Sequence, residues 1–124
     1  MSAFVNFTNH RLEHWCDRQR KAAEKYGTII DIPFPAIESE MTEKEMRCLA
    51  KQYYEKITVE KPSVVLCQGE SVFSFLVTSM LLKGGLTVVA AVSRREVLET
   101  VNEKGETIKN AVFRFEEFRR YIYY

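Results

Sequence analysis

Short apolar runs, each closed by a cluster of polar side chains, recur along the first three quarters of the chain. Ala3–Phe7 leads into Thr8-Asn9-His10-Arg11, and Thr28–Ile32 into Pro33-Phe34-Pro35. Ser63–Cys67 leads into Gln68-Gly69-Glu70-Ser71, and Leu86–Val92 into Ser93-Arg94-Arg95. Stretches of helical period lie between them, so the order reads β-α-β-α-β-α-β. Alternation of this kind predicts a parallel sheet, whose strand C-termini open onto one edge where ligands bind.

The first helix is predicted over Leu12 to Lys25. Leu12, Trp15, Cys16, Gln19, Ala22, Ala23 and Tyr26 recur at three- and four-residue steps, and Gly27 offers a left-handed stop. Thr42 followed by Glu45 is a capping box, which starts the second helix there. Met46, Leu49, Ala50, Tyr53 and Ile57 form its buried stripe, and Pro62 closes the connection. The third helix, Ser71 to Lys83, is apolar almost all round, with only Ser71, Ser74 and Thr78 as a polar stripe. A helix of that kind is buried on most of its circumference. Either a second copy covers its outer side across a two-fold axis, or the C-terminal segment folds over it.

After the fourth apolar run the period changes. Val97–Asn102 and Thr107–Phe115 flank Glu103-Lys104-Gly105-Glu106 and read as an antiparallel hairpin, with Phe113 and Phe115 on one face. The tail Tyr121-Ile122-Tyr123-Tyr124 ends the chain in aromatics. The expected fold is therefore α/β: a small Rossmann-like three-layer domain. Its sheet is mainly parallel and four-stranded, with a C-terminal antiparallel β-hairpin on the rim. One domain spans residues 1–124, with a βα core over 1–95 and the hairpin and tail over 96–124.

At 124 residues the chain holds a single core. Its 18 Lys and Arg nearly balance 17 Asp and Glu, so no global field draws it to long nucleic acid or a membrane surface. Local anion attraction would come from the Arg94-Arg95 and Arg119-Arg120 pairs. Cys16, Cys48 and Cys67 are odd in number and lack metal-type spacing, which points to reduced thiols in a cytoplasm. The start of the chain has no basic-then-apolar leader, and Val72–Leu82 is short for a bilayer span. A soluble cytoplasmic protein is expected.

The crevice of such a sheet lies where strand order reverses. With order 3-2-1-4 the flanking loops are Asn9–Arg11 and Ser93–Arg95; with order 2-1-3-4, Gln68–Ser71 replaces the arginines. Asn9, His10 and Arg11 border it either way. Asn9 can read a base edge or fix a phosphate, and His10 can move a proton near neutral pH; capping of the first helix would also account for Asn9. Gly69 lets a backbone approach a ligand, with Gln68 and Ser71 beside it. Glu70 would favour a ribose hydroxyl or a base amine, or would simply complement the helix dipole. Ser93, Arg94 and Arg95 offer phosphate contacts, and a guanidinium can stabilise a phosphoryl transition state. His10-Arg11-Leu12-Glu13-His14 matches H-x-x-E-H, but His10 precedes the helix, so no zinc site and no cofactor are expected. Cys67 reads as core, and Trp15 as core more than as a base-stacking platform.

Asn6-Phe7-Thr8-Asn9-His10 with Trp15 following, Gln68-Gly69-Glu70, Ser93-Arg94-Arg95 and Val112-Phe113-Arg114-Phe115 carry a family likeness. Through them the chain resembles the small CRISPR-associated proteins with a CARF-like (CRISPR-associated Rossmann fold) domain, including stand-alone ring nucleases. Arg11 stands where the pattern has proline. The resemblance implies a two-fold homodimer that binds cyclic oligoadenylate across its axis and linearises it without a metal. A ribose 2′-hydroxyl attacks the adjacent phosphorus and leaves a 2′,3′-cyclic phosphate. It implies that Asn9 and Gln68 hold ribose or adenine, that Arg94 and Arg95 hold phosphate, and that His10 transfers the proton. A sensor or sponge without turnover, a protein-interaction domain and an ordinary nucleotide or sugar enzyme are the competing readings.

Overall fold

The computed structural model describes residues 2–124. Five strands, β1 (Ala3–Phe7), β2 (Thr28–Asp31), β3 (Pro62–Cys67), β4 (Thr87–Val101) and β5 (Thr107–Arg120), form one sheet in the order β2-β1-β3-β4-β5. Pairs β1·β2, β1·β3 and β3·β4 are parallel, and β4·β5 is antiparallel. The architecture is thus α/β with a mixed, mostly parallel and roughly Rossmann-like sheet, and the strand order is the second of the two expected. Three helices, α1 (Asp17–Glu24), α2 (Glu43–Thr58) and α3 (Ser71–Lys83), join the parallel strands. Among the described residues no helix is long and apolar enough to cross a membrane.

Alternation along the central strands sends side chains to two separate cores. Val5, Phe7, Val65 and Cys67 pack with Ala50 and Ile57 of α2 and with Phe73, Val77 and Leu81 of α3. On the other face Phe4, Val64, Leu66 and Val89 meet Trp15 and Ala23. Helix α2 begins as its sequence requires: the Thr42 hydroxyl accepts from Glu45 N at 3.1 Å, and the Glu45 carboxylate accepts from Thr42 N at 3.2 Å. Thr42→Ala is expected to lower stability by about 1 kcal/mol, read from the urea midpoint at constant m-value.

Three expectations need correction. The first helix is not continuous from Leu12. A short 3-10 turn over Leu12–His14 gives way to extended backbone at Trp15 and Cys16, and α1 starts at Asp17. Tertiary bonds override the helical period there: the Trp15 indole N–H reaches back to the His10 carbonyl at 3.0 Å, and Leu12 N donates to the Asp31 carboxylate at 3.2 Å. Gly27 does sit between α1 and β2 at φ 141°, and a Cβ there would lie 2.1 Å from Ser2 O, so only glycine fits.

The fourth strand does not stop at Val92. It runs through Ser93-Arg94-Arg95 to Val101, because β5 pairs with it from Val89 to Val101. The predicted hairpin strands are therefore β4 itself and β5, and among the described residues the sheet has five strands with no separate rim hairpin. The turn between them is as expected: the Asn102 side chain accepts from Lys104 N and Glu106 N, both at 2.9 Å, and Gly105 takes φ 80°.

The outer side of α3 is only partly flanked. Val72 and Phe75 stay exposed, while Tyr121–Tyr123 run beside its polar stripe.

Candidate functional site

With this strand order the reversal falls between β1 and β3, so the loops after those two strands face each other. A cleft of about 580 Å³ opens there on the α1 side of the sheet. Thr8, Asn9 and His10 line it from the first loop, and Gln68 and Gly69 from the second. Trp15, Leu66 and Ala91 lie deeper, while Ser93, Phe113 and Phe115 of the β4–β5 ribbon form the far wall.

The first loop is held from beneath by a buried polar cluster. Asn6, 1% exposed, donates through Nδ2 to His10 O at 2.8 Å and to Asp31 Oδ1 at 2.7 Å. Its Oδ1 accepts from the Thr8 hydroxyl at 2.8 Å, and Thr8 Oγ1 accepts from His10 N at 3.0 Å. The His10 backbone is thus gripped on both sides while its imidazole remains exposed at the cleft. Asn9 is also exposed there; Arg11 and Cys16 occupy the positions that flank the 3-10 turn and α1, so capping does not explain Asn9.

The second loop is fixed by different means. Gln68 N donates to Phe7 O at 3.2 Å, and its side-chain Oε1 accepts from Ala91 N at 2.9 Å, which ties β3 to β4. Gly69 presses on Phe34: a Cβ there would lie 2.4 Å from the ring. The Glu70 carboxylate accepts from Phe73 N at 2.7 Å and so caps α3. Its helix-start role is therefore met within the chain.

Ser93 lies at a register shift: Val92 pairs with Glu117 and Ser93 with Phe115, leaving Glu116 as the extra residue of a bulge. This places Ser93 at the cleft, but it does not bring Arg94 there. The Arg94 guanidinium lies 2.9 Å from Glu116, whose other oxygen is 3.8 Å from Arg18. Arg95 stands opposite Phe113 and shares its face of the ribbon. Arg11 lies in the first loop, 3.8 Å from Glu13, and Ser71 lines a cavity on the α3 side. Of the expected site residues, Asn9, His10, Gln68, Gly69 and Ser93 line the one cleft; Arg11, Glu70, Ser71, Arg94 and Arg95 do not. Among the described residues no lysine or arginine lines it.

His14, Cys16 and Gln19 line the cleft although no sequence pattern marks them as cleft residues, and Phe113 and Phe115, legible in sequence only as one face of a hairpin, line it too. His14 puts a second imidazole on the wall that holds His10. Its presence follows from the break at Trp15, which no helical period announces. Trp15 is core, as expected: at 8% exposure it packs edge-on against Phe4, ring centroids 6.2 Å apart, and it also forms part of the cleft wall.

Among the described residues no three His, Cys, Asp or Glu side chains are placed to hold a metal ion. Cys67 is buried, and burial pushes its thiol up to about 11, opposed in part by a hydrogen bond from Thr78. It stays a thiol at neutral pH and is no nucleophile. Tyr121 is raised as well, by burial first and by the nearby Cys67 second.

No curated protein matches the chain. A family model matches residues 2–119, nearly the whole chain, and by that match the protein belongs to the Uncharacterized protein MJ1673 family.

Proposed function

We propose that this protein is a cytoplasmic homodimer that binds a cyclic oligoadenylate in the β1–β3 cleft and opens it slowly without a metal. The observation that carries this reading is the meeting of Asn9, His10, Gln68, Gly69 and Ser93 in one cleft at the strand-order reversal. Those residues supply hydrogen-bonding groups for ribose and base edges, and the exposed Phe113 ring supplies a stacking face. The likeness of the same loops to ring nucleases supplies the ligand class.

The chemistry needs little from the protein beyond alignment. The ribose 2′-oxygen bonds to the adjacent phosphorus, the bond from phosphorus to the 5′-oxygen breaks, and a 2′,3′-cyclic phosphate and a 5′-hydroxyl result. One proton leaves the 2′-hydroxyl and one reaches the 5′-oxygen. His10 accepts the first in this scheme and His14, which lines the same cleft, returns the second. Arg94 contributes through the Glu116 bulge that sets the ribbon wall, since its charge is already paired.

The dimer is supported by the ribbon. Arg95 and Phe113, Val97 and Ala111, and Val101 and Thr107 pair on the ribbon face that borders the cleft. Val97, Val101 and Phe113 are exposed there. A bare two-stranded ribbon is marginal in water, and a second copy would cover it.

The test is incubation of purified protein with cyclic tetra- and hexa-adenylate, followed by chromatography. Linear products are expected, with His10→Ala slowing their formation by about 100-fold. Ligand that binds but stays intact would leave the sponge reading, which the pairing of Arg94 with Glu116 favours. Absence of both binding and a thermal shift would end the nucleotide reading.

A further inference from the structure

On the opposite side of the Gln68–Gly69 loop a second cavity, about 500 Å³, opens between α3 and the chain end after β5. Ser74 and Thr78 of the α3 polar stripe form part of its lining, with Phe75, Tyr121 and Tyr123 around them. Ser74 is 8% exposed and Thr78 is 5% exposed. Among the described residues neither hydroxyl has a nitrogen or oxygen partner; Thr78 has only the Cys67 thiol beside it, a weak one. Buried hydroxyls left in this state destabilise a fold, so their presence calls for a reason.

The rim sharpens the question. Phe75, Ile122 and Tyr123 are exposed by 75%, 79% and 65%, an apolar and aromatic margin over the buried Ser74 and Thr78. Among the described residues no Lys, Arg, Asp or Glu lines the cavity, a lining that suits a neutral ligand. A neutral, planar ring with a polar edge suits both features: its faces stack on aromatic side chains, and its edge pairs with the hydroxyls.

We infer that the α3–tail cavity is a second binding site, separate from the cleft, for an uncharged heteroaromatic ring of the nucleobase class. Ser74 and Thr78 read the ring edge, and Phe75 and Tyr123 hold its faces. The inference does not depend on what the cleft binds.

Adenosine is the probe, because it carries the ring without a phosphate. In a two-dimensional NMR titration, saturable shifts are expected at the Ser74, Phe75 and Thr78 amides. A Ser74→Ala, Thr78→Val double variant should lose those shifts, with affinity down by at least about tenfold, while any response at Asn9 and Ser93 is kept. The same variant, without ligand, should melt about 4 °C higher than the native protein, because one buried hydroxyl with no partner and one with only a weak thiol partner are gone. Tyr123→Ala, an exposed change, should weaken the α3 response without lowering the melting temperature. The inference is overturned if the α3 amides ignore millimolar adenosine, if the double variant responds like the native protein, or if it melts lower. A cleft that fails to bind cyclic oligoadenylate would leave these results untouched.

Discussion

Trp15→Ala is expected to remove about 4 kcal/mol of stability, the range found when a buried aromatic is truncated. Several contacts are lost together. The indole packs edge-on against Phe4 and lies 6.3 Å from Phe118, centroid to centroid, in a cluster that continues to Phe115. Its N–H also holds the His10 carbonyl at 3.0 Å. Domains of this size are stable by roughly 5–15 kcal/mol, so the variant should sit near the edge of folding at room temperature. Urea unfolding followed by far-ultraviolet circular dichroism measures the loss, since the variant has no tryptophan left to report by fluorescence. Trp15→Phe separates the two contributions: it keeps most of the ring packing, drops the hydrogen bond, and should lose about 1 kcal/mol beyond any packing change. A deficit for Trp15→Ala below about 1.5 kcal/mol would contradict a packed role and leave Trp15 as a cleft surface only.

The same residue explains why the sequence was legible in some places and silent in others. Local signals held wherever the determining contacts lie within a few residues. The Thr42–Glu45 box starts α2, the apolar run after Glu70 makes α3, and Asn102 with Gly105 makes the ribbon turn. Trp15 failed as a local signal because its place is set by Phe4 and His10 rather than by the next helical turn. Ser93-Arg94-Arg95 failed for a related reason. Charged residues interrupting an apolar strand resemble a loop, and only the pairing with Val112–Glu117, remote in sequence, keeps them in β4. That pairing also supplied Glu116 as the partner of Arg94, so the expected phosphate contact became an ion pair. The polar tips after β1 and β3 were readable because strand ends at a reversal converge whatever the remote contacts are. Phe113 and Phe115 were visible as a face, but nothing in their neighbourhood says which cleft that face would border.

Asn6 is where the fold and the candidate site depend on one side chain most directly. Its amide sits at 1% exposure, donates to His10 O and Asp31 Oδ1, and accepts from Thr8. Asn6→Ala removes all three bonds, one of them to a carboxylate, and should lower stability by about 3 kcal/mol. The loop carrying Asn9 and His10 loses its support as well, so any ligand affinity of the cleft should fall with it. Asn6→Asp is the sharper test, because shape is kept while a second carboxyl group is set within hydrogen-bond reach of Asp31. Two ionised carboxylates repel at that separation, and a shared proton relieves them, so the pair holds a proton more tightly folded than unfolded. The deficit of this variant relative to the native protein should therefore be smallest near pH 4 and grow as pH rises through the pair's raised titration. Chemical denaturation at pH 5 and pH 8 measures it. Equal deficits at both values would mean that Asn6 and Asp31 do not meet in solution, and Asn6 would then grip the His10 loop without the Asp31 carboxylate behind it.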